Sequence, residues 1–191
     1  MLILVRHGRT EANAAGLLQG RMDNPLDAIG LAHARAIAKA IGSADLVISS
    51  PLRRAVQTAE ALGLPVQIDE RWLELDYGAL DGLAVASVGA DVWDRWRRDV
   101  RYIPAGGESL QTVFDRVAAA CADLVAVAAD ADVVVVSHVS PIKAAMAWAL
   151  GGGPESAWRS HLDPASITRI GITPRGPVLR SFNETAHLSA C

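Results

Sequence analysis

The chain has 191 residues, 51% of them hydrophobic and 20% charged, with a formal net charge of −3 at pH 7. A chain of this length can bury about 70% of the surface its unfolded form exposes, so it needs neither disulfides nor metal to fold as one domain over residues 1–191. The acidic balance excludes a broadly basic nucleic-acid surface and leaves phosphate to local clusters of arginine. Cys121 and Cys191 form neither a disulfide framework nor a CxxC pair, which suits a reducing cytoplasm. No segment approaches the roughly 20 apolar residues of a membrane helix, and the apolar start ends in Arg6 and His7 without the flank of a signal peptide. A soluble, cytoplasmic protein with no membrane or nucleic-acid partner is expected.

In chain order, Leu2 to Val5 predicts a first strand that delivers Arg6-His7-Gly8 at its carboxyl end. Leu31, Ala34, Ile37, Ala38 and Ile41 follow one helix face and stop at Gly42, a glycine C-cap. Leu46 to Ile48 is a second strand; after it, Ser50-Pro51 predicts a helix opened by a capping hydroxyl and a first-turn proline, continued by Leu52, Ala55, Val56 and Ala59. Val66 to Ile68 is a third strand. The stretch from Leu80 to Tyr102 is the least regular and carries Trp93, Trp96, Arg97, Arg98 and Arg101. Gly106-Gly107-Glu108-Ser109 lacks the lysine and spacing of a P-loop and predicts a tight turn into a long helix from Ser109 to Ala129. Val133 to Val136 leads through Ser137 to His138, and Ser140-Pro141 repeats the serine-proline helix opening. Ile167 to Ile172 and Val178 to Phe182 are the last strands.

Strands alternating with helices predict an α/β fold of three α/β/α layers around a mostly parallel sheet. The short Pro174 to Pro177 turn requires at least one antiparallel strand, and the last strands offer an edge through which a homodimer could pair. Ligands of such sheets sit outside the strand carboxyl ends, where this sequence delivers two imidazoles and several guanidiniums. That set suits nucleophilic attack on phosphorus with neutralisation of charge.

Arg6-His7-Gly8-Arg9-Thr10-Glu11-Ala12-Asn13, Gln19-Gly20-Arg21 through Pro25-Leu26, Ser49-Ser50-Pro51-Leu52-Arg53-Arg54-Ala55, Leu73-Glu74 to Gly78, Gly106-Gly107-Glu108-Ser109 and Val136-Ser137-His138 resemble, in order, the histidine phosphatase superfamily, the phosphoglycerate mutase-like group. The endings His138-Val139-Ser140-Pro141-Ile142-Lys143 and His161-Leu162-Asp163-Pro164-Ala165-Ser166 look most like actinobacterial acid phosphatases related to the α-ribazole phosphatase branch. Asp27 stands where Thr or Ser is usual, and Asp81-Gly82 where Glu-Gly is common, which shortens a carboxylate by one methylene.

The resemblance implies that His7 accepts the phosphoryl group as phosphohistidine, that Arg6 and Arg54 clamp its oxygens, that His138 completes the pocket and that Glu74 protonates the leaving oxygen. An imidazole attacks only when neutral, and burial among cations lowers its pKa. Neighbouring helical residues point about 100° apart, so Arg54 rather than Arg53 is expected to face the ligand. The resemblance also puts Asn13, Gln19 and Val139 in contact with substrate, and implies no cofactor and no metal. Asn13 and Gln19 could equally be turn residues; Thr10 is expected to cap the following helix with Glu11 in solvent. His33, His161 and His187 lack paired ligand spacing.

The leading expectation is a metal-independent phosphomonoesterase acting on a small phosphate ester. A phosphoglycerate mutase-type phosphotransferase is the alternative, disfavoured by the short segment between Glu74 and Gly106. A catalytically silent phospholigand-binding protein is the alternative of another class, disfavoured because such a protein has no physical need of both nucleophile and acid. Trp93, Trp96, Arg97, Arg98 and Tyr102 could recognise the substrate beyond its phosphate, or could simply pack a helix. An acid protonated while His7 is neutral implies an acid-shifted optimum.

Overall fold

The computed structural model describes residues 1–189; Cys191 lies outside them. Six strands, β1 (Leu2–Arg6), β2 (Leu46–Ser49), β3 (Val66–Ile68), β4 (Val133–Ser137), β5 (Ile167–Thr173) and β6 (Gly176–Glu184), form one sheet in the order β3-β2-β4-β1-β5-β6. Strands β1, β2, β3 and β4 pair in parallel, while β5 runs antiparallel to both its neighbours. Every strand expected from the apolar runs is present, and β6 is longer at both ends because its pairing with β5 extends from Gly176 to Glu184.

Alternation along the strands separates two cores. Leu2 and Leu4 of β1 and Val133 and Val135 of β4 face one side, against Val113 and Val117 of α5 (Leu110–Asp130) and Ile142 of α6 (Val139–Ala149). Ile3, Val5, Val134 and Val136 face the other, against Ile37 of α2 (Ala28–Ile41) and Ala55 and Ala59 of α3 (Arg53–Glu60). Two apolar faces on one sheet require cover on both sides, which gives the three layers. Helix α2 starts at an Asp27 cap and stops at Gly42, the expected C-cap, but buries Gly30, Ala34 and Ile37 and leaves Leu31 exposed.

The two serine-proline openings are corrected. Helix α3 is preceded by Leu52 with no side-chain cap of its own, and its Arg53 N–H donates instead to Asp23 Oδ1 at 2.6 Å. Helix α6 begins directly after His138, so Ser140 and Pro141 lie within its first turn, and Ser140 is not the cap. In both helices the free N-terminal donors are met by carboxylates from elsewhere in the chain. Ser109 does cap α5, accepting from Thr112 N at 3.0 Å. The segment read as irregular holds short 3-10 turns and the helix α4 (Ala90–Arg98), whose Trp96 is fully buried. Among the described residues no helix is long and apolar enough to cross a membrane.

Candidate active site

Strand register assembles the site. Arg6 lies opposite Ser137, and Val136 opposite Ser49, so the next residues, His7, His138 and Ser50, emerge together from three adjacent strand ends. The His7 and His138 rings lie 5.1 Å apart. His7 Nδ1 lies 2.7 Å from the Gly8 carbonyl oxygen; a carbonyl can only accept, so Nδ1 carries the hydrogen and Nε2 keeps a lone pair. The loop that holds this ring is pinned. Gly8 N donates to Thr58 Oγ1 at 3.0 Å, and Thr58 donates to the Arg54 carbonyl at 2.7 Å. A Cβ on Gly8 would lie 2.5 Å from the Gly30 carbonyl oxygen, and one on Gly30 would strike the Arg9 carbonyl.

Arg54 is fully buried while Arg53 is exposed, as the angle between helical neighbours requires. The Arg54 guanidinium donates to the carbonyls of Met22 at 2.6 Å and Gly20 at 2.9 Å. Those carbonyls are fixed in turn by Asp81, whose carboxylate accepts from the N–H groups of Gly20, Arg21 and Met22 at 2.7, 2.9 and 3.1 Å. Arg6 donates to the Leu162 carbonyl at 2.5 Å. His138 Nε2 lies 2.7 Å from Ser50 Oγ.

What remains unpaired is informative. Arg6 Nε, Arg54 Nε, the Gln19 amide nitrogen and His138 Nδ1 are buried without a hydrogen-bond partner among the described residues. A buried donor left unsatisfied costs about 1–3 kcal/mol. With Ser50 Oγ–H donating to Nε2, His138 Nδ1 also becomes a donor, and all four atoms then suit an acceptor-rich anion. Burial, reinforced by Arg54 and Arg6, holds the His7 pKa well below the ordinary imidazole value. Burial and the same cations do likewise for His138. Burial lowers Arg54 to about 10, against the pull of Glu74, which leaves it a cation at neutral pH.

Glu74 is buried beyond the 3-10 turn Glu70–Trp72. Its Oε1 accepts from Leu75 N at 2.7 Å and Ser140 N at 3.1 Å, and Oε2 accepts from Val139 N at 3.0 Å. The carboxylate thus caps α6 from 65 residues away. Its main chain is braced by Arg116, which donates to the carbonyls of Arg71 and Glu74 and pairs with Glu108 at 2.9 Å. Glu108, read only as part of a turn, therefore ties that turn to the Glu74 segment.

The remaining candidates are placed unequally. Gln19 is buried, its amide oxygen accepting from Thr10 Oγ1 and Asn24 at 2.9 and 3.0 Å. Asn13 joins Thr10 in a capping box on α1 (Glu11–Ala14), so its amide oxygen is committed to the helix start. Val139 offers its N–H to Glu74 rather than to open space. Of the histidines without paired ligand spacing, His161 is exposed beside Asp163, and His187 bonds the Ala165 carbonyl. Among the described residues no group of three or more His, Cys, Asp or Glu side chains could hold a metal ion.

A family model described as the histidine phosphatase superfamily (branch 1) matches residues 2–185. A bifunctional protein of Mycobacterium tuberculosis is 35% identical over 98% of this chain but only 54% of its own length, so the chain spans about half of that relative. A solved phosphoserine phosphatase of Entamoeba histolytica, in complex with phosphoserine, superposes with a TM-score of 0.90 at 31% identity, covering 98% of each chain. The structure of a candidate α-ribazole-5′-P phosphatase of Escherichia coli superposes with a TM-score of 0.84 at 31% identity, covering 96% of this chain and 95% of the other.

Proposed function

The chain belongs to the histidine phosphatase superfamily, and on that premise we propose that it hydrolyses small phosphate monoesters by two in-line transfers, first to His7 and then to water. The observation that carries this reading is the set of buried, unpartnered donors from Arg6, Arg54, Gln19 and His138 at the strand ends that present His7. A phosphoryl group supplies the acceptors they lack, and guanidiniums are suited to its paired oxygens.

His7 Nε2 attacks phosphorus while the ester P–O bond breaks. The imidazole becomes positively charged as the N–P bond forms, and its Nδ1–H is already held by the Gly8 carbonyl. Arg6 and Arg54 balance the charge on the equatorial oxygens. Glu74 gives its proton to the leaving oxygen. Its Oε1 accepts from the N–H groups of Leu75 and Ser140, and its Oε2 from those of Val139 and, at 3.5 Å, Ser140, which fixes the carboxyl group beside the turn that opens α6. In the second step water attacks phosphorus on the line opposite Nε2, the N–P bond breaks, and the Glu74 carboxylate takes the proton that water releases. Phosphate leaves and both groups return to their starting states. His138 and Gln19 contribute donors to the bound oxygens, and Asn13 and Val139 act through the α1 cap and Glu74.

Mixing the protein with a labelled aryl phosphate and quenching within one turnover tests this directly. Protein-bound phosphate that survives alkali and is lost in acid is expected, with none on His7→Ala. Equal phosphate release by that variant and the wild-type chain would remove His7 from the reaction.

A further inference from the structure

Arg6 and His7, at the end of β1, both lean on the segment that leads into β5. The Arg6 guanidinium donates to the Leu162 carbonyl at 2.5 Å, the Arg6 N–H to the Ser166 carbonyl at 3.0 Å, and the Ala165 N–H to the His7 carbonyl at 3.0 Å. Whatever fixes residues 162–166 therefore fixes the clamp and the backbone of the nucleophile. That segment does not hold its shape unaided. Ala165 has a φ of 63°, a left-handed conformation that a residue with a Cβ keeps only when its surroundings enforce it.

Part of the enforcement comes from the edge strand. Ile167 pairs with Glu184 and Arg169 with Ser181, so two steps along β5 match three along β6, and β6 carries one residue more. A bulge of this kind re-aims a side chain. Asn183 lies in it with a φ of 58°, and its amide meets Asp163 twice. Asn183 Oδ1 accepts from the Asp163 N–H at 2.7 Å, and Nδ2 donates to Asp163 Oδ2 at 2.8 Å. The Asn183 N–H donates to Thr168 Oγ1 across the bulge at 3.3 Å, which fixes the base of the side chain.

The residue type suits the place. Asparagine enters the left-handed region more readily than most residues with a Cβ, and its amide supplies the one acceptor and one donor that the Asp163 N–H and carboxylate require. The Asn183 bond, then the His161 bond, hold the Asp163 carboxyl below its ordinary range against the opposing effect of burial, and the Arg6 charge adds to them. A carboxylate facing an amide is thus locked one residue from the carbonyl that holds Arg6.

We infer that Asn183 is a positioning residue for the reaction: its amide sets Asp163 and, through the adjoining Leu162 carbonyl, the Arg6 guanidinium that clamps the phosphoryl oxygens. The inference rests on the phosphatase reading above and adds to it a residue from the outermost strand of the sheet.

Asn183→Gly keeps the left-handed backbone and deletes only the amide. It should lower kcat/KM for an aryl phosphate about tenfold and weaken the binding of inorganic phosphate, measured by calorimetry, by a similar factor. A general loss of packing would multiply with the effect of Arg6→Met, whereas a misplaced guanidinium would not. In the Arg6→Met background, Asn183→Gly should therefore change kcat/KM by no more than about twofold. Exchanging the groups serves even if the Arg6 variant fails to fold. Asn183→Asp alone sets carboxylate against carboxylate and should cost about tenfold or more in phosphate affinity, while Asp163→Asn combined with it restores an amide facing a carboxylate and should recover most of that loss. Unchanged kcat/KM in Asn183→Gly, a loss that multiplies in full with that of Arg6→Met, or no recovery in the exchanged pair overturns the assignment. If no ester of any kind is turned over, it is the phosphatase reading that fails, and phosphate affinity alone then decides: weakened by Asn183→Gly it upholds the role of Asn183, and unchanged or absent in the wild-type chain it overturns it.

Discussion

At the phosphate end, His7, Ser50 and His138 leave three neighbouring parallel strands whose register is set by backbone hydrogen bonds. A neighbouring cavity lined by Tyr77, Trp93, Trp96 and Trp158 is instead walled by side chains from a helix start, a 3-10 turn and the helix α4, brought together by ring contacts. The first part inherits its precision from the register of the sheet. The second hangs on connections that can change length or composition without altering a strand. Phosphorus chemistry needs fixed positions to a fraction of an ångström, whereas the choice of leaving group needs a surface that can be rebuilt. This chain keeps the two apart, joined at Glu74 and the Val139–Ser140 turn.

Substitutions can break that division, beginning with the largest expected effect. His7→Ala should lower kcat/KM for every ester by about 10⁴-fold or more, the scale seen when a nucleophile is removed, measured by phosphate release. Arg54→Lys should cost about 10²- to 10³-fold, since an ammonium cannot reproduce the fork that spans phosphate and backbone; equal losses across all leaving groups would show that the clamp belongs to the phosphate end alone.

The buried imidazoles link the same end to stability. Both His7 and His138 have pKa values below that of the unfolded chain, so the unfolded state binds more protons once pH falls beneath about 6.5. Each then removes about 1.4 kcal/mol of stability per pH unit, down to its own folded pKa, while above pH 6.5 neither contributes. Urea unfolding between pH 7.5 and 5 measures the slope, and His138→Asn should make it shallower. Burial and the neighbouring guanidiniums lower the His7 pKa, so the acid limb of kcat/KM should lie below the ordinary histidine value. Asp81→Asn probes the joint more gently. It weakens the charge-assisted hold on the Gly20 to Met22 backbone, and should raise KM about tenfold without changing the preference among leaving groups. Smallest of all, Ser109→Ala should remove about 1 kcal/mol from the cap of α5 and leave both ends of the site catalytically intact.

The phosphate end was legible in the sequence because its information is local. Each strand is an apolar run that ends in its functional side chain, and the angle between adjacent helical residues separated buried Arg54 from exposed Arg53. The helix starts were misread for the opposite reason. Ser50 and Ser140 look like caps, yet the donors of α3 and α6 go to Asp23 and Glu74, carboxylates 30 and 65 residues distant from them. Ser50 is thereby free to bond His138. Glu108 and Arg116 stand eight residues apart across a turn and a helix, a spacing with no periodic signature, so their brace on Glu74 could not be read. The cavity was visible only as composition, a cluster of tryptophan and arginine. Its inward face became apparent once Trp96 proved fully buried and Arg97 turned outward over Trp158.

Gly30 sits inside α2, where replacing a helical glycine by alanine would ordinarily add up to about 1 kcal/mol. Here a methyl group would run into the Arg9 carbonyl, just as one on Gly8 would run into Gly30. The reactive ring is thus kept in place by two missing side chains, one of them 23 positions further along the polypeptide. Anyone engineering a hardier version should leave both positions untouched, because a change chosen to firm up the helix would push the nucleophile out of line.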